Sequence, residues 1–156
     1  MFATILLVCS WISSGDFARE HVHAPLARFL VRLVSAVLSP LGTVSADGAN
    51  LYFRGFDIEI VEACDGVLPT FIYLAAVLAF PSGWRSKLWG AALGVPAIFA
   101  INLLRLMSLV VVGVWRPDLF ERVHIYVWQT LVIALSMALW VFWVERFVPE
   151  ARAAHS

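Results

Sequence analysis

Three long apolar runs, separated by short polar segments, dominate the second half of the chain. They cover roughly Gly66 to Phe80 with its flanks, Leu88 to Trp115, and His124 to Val148. A helix needs about 20 apolar residues to cross the hydrocarbon core of a bilayer. The runs therefore predict three membrane-spanning helices, of which the first is the shortest.

A fourth apolar run lies at the N-terminus, where the sequence reads MFATILLVCSWISS. It is apolar for only about 12 residues, a length that also suits the hydrophobic region of a signal peptide. It has neither the basic segment nor the small-x-small cleavage site of such a peptide. We therefore interpret residues 1–14 as a retained, short first span.

The segment between the first two spans combines an amphipathic helix with a strand. In PLARFLVRLVSAVLSPLG, Arg28 and Arg32 lie opposite a series of apolar residues at helical spacing, which is typical of a helix in the membrane interface. The apolar series comprises Leu26, Phe29, Leu30, Leu33, Val37 and Leu41. After the turn signal at Asp47 and Gly48, the run FDIEIVEA alternates between apolar and polar residues, which predicts a surface strand leading into Cys64.

Composition agrees with a membrane protein. Of the 156 residues, 62% are hydrophobic and 14% charged, and the mean hydropathy is +0.86, far from the averages of soluble proteins. The 11 basic and 11 acidic residues cancel, which argues against a nucleic-acid surface. We predict an all-α polytopic membrane protein with about four transmembrane helices, an extracytoplasmic amphipathic helix and a short β segment.

The chain reads as a single integral membrane domain. Its predicted parts are the first span (1–14), an extracytoplasmic segment (15–63), a three-span core (64–148) and a cytoplasmic tail (149–156). Arg85 and Lys87 lie in a tight loop without an acid, which marks that side as cytoplasmic under the positive-inside rule. The opposite side carries more arginines in total, but in a long loop, where the rule loses force.

With both termini inside, this topology brings three reactive side chains to the outer boundary of the membrane. Cys64 starts the second span, Arg105 lies in the outer third of the third, and His124 starts the fourth. An arginine within a span costs about 2.5 to 3.5 kcal/mol on insertion scales and is seldom kept without a partner or a task. Asn102 shares the helix face of Arg105. Snorkelling, or an ion pair with Glu62, would also explain Arg105.

The surroundings of Cys64 act on its thiol in opposite directions. The helix that follows supplies partial positive charge and can be capped by Asp65, whereas the charges of Glu62 and Asp65 disfavour a thiolate. A reactive Cys64 therefore needs a neighbouring cation, for which Arg105 and His124 are the candidates. His124 can also exchange a proton with a thiol nucleophile near neutral pH.

Several alternatives remain for the same residues. Two cysteines are too few for a disulfide framework, but Cys64 can be an inert buried thiol or pair with Cys9. His21 and His23 alternate in a loop without an evident third ligand, so we predict no metal site and no cofactor. Gly90 and Gly94 form a small-xxx-small pair that favours packing within the chain over a dimer.

Three motifs resemble the exosortase and archaeosortase family of membrane transpeptidases, with the exosortase H type as the closest likeness. They are EACDGV at the start of a span, NLLRLMSL in the next, and FERVHIYVWQ at the start of the last, and the likeness covers roughly Phe56 to Trp143. It implies that Cys64 is the nucleophile, Arg105 the oxyanion or substrate-orienting cation and His124 the general acid and base.

Supporting positions of the family are matched only in part. Asn102 and Gly66 occupy positions that the family tends to fill in the same way. Asp65 stands where family members often have Ser or Asn, and it adds an acid beside the thiol. Many members also have more than the four spans that we count here.

The resemblance also implies a class of substrates and a location in the cell. Family substrates are exported proteins with a C-terminal short motif, a membrane span and a basic cluster, and for the H type the motif is similar to IPTLxxWG. Such an enzyme would be a multi-pass protein of the bacterial inner membrane, in contact with lipid, with its site facing the periplasm. The acceptor, the individual substrates and the oligomeric state are not predicted.

Two other functions fit the same residues. A non-enzymatic membrane assembly or transport subunit would use Arg105 and His124 to line a polar cavity or proton path. An intramembrane hydrolase would cleave without transfer, because sequence does not distinguish water from an amine as the resolving nucleophile.

Overall fold

A computed structural model describes residues 19–59 and 65–148. A π-helical turn, Arg19–His23, leads into helix α1 (Ala24–Leu38), and a 3-10 turn follows at Ser39–Leu41. Strands β1 (Val44–Asp47), β2 (Asn50–Phe53) and β3 (Phe56–Glu59) precede helices α2 (Val67–Ala79), α3 (Trp84–Trp115) and α4 (Pro117–Phe147). The predicted first span, the predicted tail, Cys9, Glu62 and Cys64 lie outside the described residues.

The structure confirms a mainly helical chain with a short sheet, but not four transmembrane helices. Helices α3 and α4, of 32 and 31 residues, are long and apolar enough to cross a membrane. Only 39% and 11% of their most apolar windows are buried within the protein. Helix α2 has 13 residues, fewer than the roughly 20 that a span usually needs.

Helix α1 forms as predicted, but a different face is buried. Its buried residues are Ala27, Leu30, Val31, Val34 and Leu38, which pack with Leu51 and Phe53 of β2 and with Leu106 and Val110 of α3. Phe29 and Val37, predicted on the apolar face, are 60% and 42% exposed. At 3.6 residues per turn, the buried stripe is rotated by about 90° from the predicted one. The sheet and α3 select it, and the Phe29 side stays exposed beside Arg28 and Arg32.

The predicted strand is the last of three in an antiparallel sheet with the order β1-β2-β3. Two-residue turns join the strands, the first at Gly48 and the second at Arg54 and Gly55, with φ angles of 50° and 84°. In the second turn both residues have positive φ, which matches the right-handed twist of a hairpin. We predicted only β3, and the alternation of Phe56 and Ile58 with Asp57 holds there.

Helices α2, α3 and α4 pack through small residues, as the glycine pair predicts. A Cβ at Gly94 would lie 2.1 Å from the ring of Tyr73, and one at Gly90 would lie 2.6 Å from Trp143 Nε1. The Tyr73 hydroxyl donates to the Gly90 carbonyl at 3.0 Å, and Trp143 Nε1 donates to the Ser86 carbonyl at 2.7 Å. Gly90 and Gly94 therefore seat aromatic rings from α4 and α2 against α3.

Candidate functional site

Arg105 and His124 meet where α3 passes the first turns of α4. A nitrogen of the Arg105 guanidinium, Nη2, lies 2.8 Å from His124 Nε2. Arg105 is only 3% exposed, and His124 is half-buried. The structure thus pairs two of the three predicted reactive side chains across 19 residues of sequence.

The hydrogen bond has a definite direction, which limits what His124 can do at rest. A guanidinium has only donors, so Nε2 of His124 accepts, and the hydrogen of a neutral imidazole is on Nδ1. The imidazole cannot take up a second proton at Nε2 while that nitrogen accepts the hydrogen bond from Arg105. In this state His124 can donate from Nδ1, but its Nε2 lone pair is occupied.

The backbone around His124 departs from regular α-helical geometry. The residue lies in a π-helical stretch, Val123–Trp128, between the α-helical segments Pro117–Arg122 and Gln129–Phe147. Such stretches occur frequently at functional sites. From the sequence we predicted only that a span starts at His124, and not this change of helical pitch.

Aromatic rings connect His124 to the sheet. The ring centroids of Phe120 and His124 are 5.8 Å apart, and those of Phe56 and Phe120 are 5.3 Å apart. Phe56 in turn lies over Gly113 of α3, where a Cβ would lie 2.2 Å from its ring. Strand β3 is therefore linked to the imidazole through the ring of Phe120.

The start of α2 is fixed against α3 by Gly66 and Asn102. Gly66 has a φ angle of 84°, in the left-handed region that glycine adopts without strain. A Cβ there would also lie 3.1 Å from Asn102 Cγ. Asn102 is 1% exposed and lies one turn before Arg105 on α3. The predicted supporting residues Gly66 and Asn102 are thus in contact.

Asp65 caps α2, as predicted, and also holds a histidine. Its Oδ1 accepts a hydrogen bond from the Val67 backbone N–H at 2.9 Å. Its Oδ2 is hydrogen-bonded to His23 Nδ1. Asp65 is 1% exposed and His23 is 7% exposed. From the sequence we considered His23 only as a metal ligand and did not predict this pairing; its position just before an amphipathic helix was the available signal.

A laterally placed apolar groove lies between α2 and α4. Its volume is about 440 Å³, and it is lined by Pro69, Ile72, Tyr73, Ala76, Ile133, Ser136, Met137 and Trp140. Ser136 Oγ and Trp140 Nε1 are buried and make no hydrogen bond within the described residues. Pro69, one of the lining residues, is four positions after Asp65 in the sequence.

One set of predicted residues is not covered by this geometry. Cys64 and Glu62 lie outside the described residues, so their roles stay predictions. The groups that the structure does describe are Asp65 with His23, Gly66 with Asn102, and Arg105 with His124.

Comparison with known protein families gives a match over most of the chain. The family described as transmembrane exosortase (Exosortase_EpsH) matches residues 1–146. No significant match was found among curated proteins or among solved structures. The matched range includes the predicted site residues and nearly all of the chain. The chain therefore belongs to the transmembrane exosortase family.

Proposed function

We propose that this chain is a membrane-embedded cysteine transpeptidase, which cleaves C-terminal sorting signals of exported proteins through a thioester on Cys64 and transfers them to an acceptor. The observation that carries the proposal is the part-buried Arg105–His124 hydrogen bond of 2.8 Å in a membrane protein of the exosortase family. A cation and an imidazole in contact supply the charge and the proton exchange that thiol acyl transfer needs.

The first half of the reaction forms the thioester. His124 takes the thiol proton of Cys64, and the sulfur attacks the carbonyl carbon of the scissile peptide bond. Arg105 donates hydrogen bonds to the oxyanion that develops on the carbonyl oxygen. The C–N bond then breaks, His124 returns the proton to the leaving nitrogen, and the membrane tail departs as an amine.

The second half resolves the thioester. A nucleophile of the acceptor attacks the same carbonyl carbon and gives its proton to His124. The C–S bond breaks, and the thiolate of Cys64 takes the proton back from His124. The acceptor thus carries the new acyl bond, and the enzyme regains its starting state.

The resting hydrogen bond supports a coupling between substrate binding and base activation. Arg105 occupies the Nε2 lone pair of His124 at rest. A substrate carbonyl that draws the guanidinium toward its oxygen frees that lone pair for the thiol proton. The base is then available only when the bond to be cleaved is in place.

The substrates that fit this proposal carry a short motif, a membrane span and a basic cluster at the C-terminus, with a motif similar to IPTLxxWG. Such a tail shares the bilayer with the enzyme, so lateral diffusion brings its motif to the outer end of α2. The proposal places the enzyme in the bacterial inner membrane, with its site on the periplasmic side.

Tail release by the purified protein tests the proposal. The enzyme is reconstituted in vesicles with a reporter protein that ends in the tripartite tail, and the tail's loss is followed as a size shift. Without an acceptor amine, we expect a reporter–enzyme adduct that hydroxylamine cleaves, as a thioester requires. Absence of both release and adduct would favour a non-enzymatic role, and release without any transfer to an added amine would favour a hydrolase.

We expect the groove between α2 and α4 to receive the membrane span of the tail. Ala76 lines the groove, so Ala76→Trp should fill it and raise the substrate concentration for half-maximal release by about tenfold, the effect of 1.4 kcal/mol. Leu78→Trp is the matched control, because Leu78 lies on the same helix, is 39% exposed and does not line the groove. Equal behaviour of the two variants would place the tail elsewhere.

A further inference from the structure

The pair formed by His23 and Asp65 joins the extracytoplasmic segment to the start of α2. His23 ends the turn before α1, whereas Asp65 is 42 residues further along the chain. Both side chains are buried, at 7% and 1% exposure. A buried carboxylate is costly unless it is paired and hydrogen-bonded, so the pair fixes these two parts of the chain to each other.

Both oxygens of Asp65 have donors. Oδ1 accepts from the Val67 N–H at 2.9 Å, and Oδ2 is bonded to His23 Nδ1. Because an ionised carboxylate only accepts, the Nδ1 atom of His23 carries the hydrogen. The negative charge of Asp65 is therefore stabilised by two hydrogen-bond donors, one in the first turn of α2 and one on the imidazole of His23.

The next residue back along the chain is Cys64. A carboxylate beside a cysteine disfavours the thiolate unless a donor or a cation compensates its charge. In the same turn, Gly66 lies against Asn102, one turn from Arg105. The turn formed by Asp65 and Gly66 is therefore in contact with both His23 and α3.

We propose that His23 is a positioning residue for the transpeptidase site, which acts through Asp65 to hold the turn that follows Cys64 in sequence and to compensate the charge of Asp65 by a hydrogen bond. The inference rests on the proposed function for the role of Cys64. It gives the extracytoplasmic segment a direct part in the site, since His23 immediately precedes α1.

Alkylation of Cys64 tests this role without a substrate. In a Cys9→Ser background, Cys64 is the sole thiol of the chain, and its rate of reaction with N-ethylmaleimide at neutral pH reports its thiolate fraction. We expect His23→Leu to lower this rate about tenfold, the equivalent of one unit in thiol pKa. We expect the rate constant for tail release to fall with it, while the half-saturating substrate concentration stays unchanged.

Two further variants separate positioning from folding. His23→Asn keeps an N–H donor near the position of Nδ1 and should restore most of the alkylation rate. His21→Leu changes the same residue type in the same turn, where His21 is exposed, and should leave the rate unchanged. Each variant is compared at equal amount in the membrane and equal thermal stability, and His23→Asn decides the matter if His23→Leu does not fold.

A double-mutant cycle tests whether His23 acts through Asp65. In an Asp65→Asn background, where the charge is absent, His23→Leu should change the alkylation rate by less than about twofold. An equal effect of His23→Leu in both backgrounds, or an unchanged rate in the presence of Asp65, would overturn the proposal. If tail release fails in the native protein but the alkylation results hold, the positioning role stands and the proposed function does not.

Discussion

We expect the Cys64→Ser variant to release the tail at less than about one thousandth of the native rate, because loss of the nucleophile removes the covalent route. The serine hydroxyl is close in size to the thiol but is hardly ionised at neutral pH. The hydroxylamine-sensitive adduct should disappear with the activity. The size shift of the reporter and gel detection of the adduct measure the two effects independently.

Cys9→Ser is the matched control, because it exchanges the same atoms at the other cysteine of the chain. It should release the tail at close to the native rate under reducing and oxidising conditions. Processing by Cys64→Ser at near the native rate would exclude catalysis through Cys64 and favour the assembly or transport role. Loss of activity in Cys9→Ser instead would point to a disulfide.

Arg105→Lys should lower the rate of tail release by about a hundredfold to a thousandfold, the usual cost of one oxyanion donor. Lysine keeps the charge but lacks the planar fork that can contact His124 and a developing oxyanion at once. His124→Ala should reduce the rate by a similar factor, because His124 takes the thiol proton in the proposed mechanism. Single-turnover measurements at saturating substrate give both rates.

We expect the effects of Arg105→Lys and His124→Ala on the rate of tail release to be non-additive, because the two side chains act as a unit. Their 2.8 Å contact predicts that the double variant is little slower than either single variant. Arg116→Lys is the control. Arg116 lies just before α4, is exposed, and forms a salt bridge with Asp118 in the first turn of that helix. Effects of Arg105→Lys and His124→Ala that multiply in the double variant would show that the two side chains act in separate steps.

The sequence predicted the Arg105–His124 neighbourhood because membrane depth is a one-dimensional quantity. At about 1.5 Å per residue, the position of Arg105 along a long apolar helix sets its height, and His124 begins the next long apolar run. Two antiparallel helices joined by the short segment around Arg116 then bring equal heights together. No knowledge of side-chain packing is needed for that step.

Rotation about a helix axis is harder to predict than depth. Helix α1 has apolar residues over more than half of its circumference, so periodicity alone did not decide between the Phe29 side and the Val34 side. Trp143 shows the same difficulty. A tryptophan near the end of an apolar run is typical of an aromatic belt at the membrane interface, yet Trp143 is 2% exposed, because Gly90 leaves room for its ring.

The His23–Asp65 pair could not be predicted from the sequence, for a different reason. The two residues are 42 positions apart, in a polar segment and at a helix start, and neither lies in a periodic run that fixes its height or direction. Their contact depends on how the sheet seats α1 against Leu106 and Val110. Two of the strands of that sheet were themselves not predicted.

The length of α2 has a consequence for the lipid around the enzyme. Thirteen residues extend about 20 Å, roughly 10 Å less than the hydrocarbon core of a typical bilayer. Hydrophobic mismatch of this size draws the two leaflets together beside the short helix or lets headgroups and water descend to its ends. Helix α3, at 32 residues, imposes no such deformation on its own side. In the proposed reaction, a peptide bond that approaches past α2 would therefore meet water at a depth where an undisturbed bilayer offers only hydrocarbon.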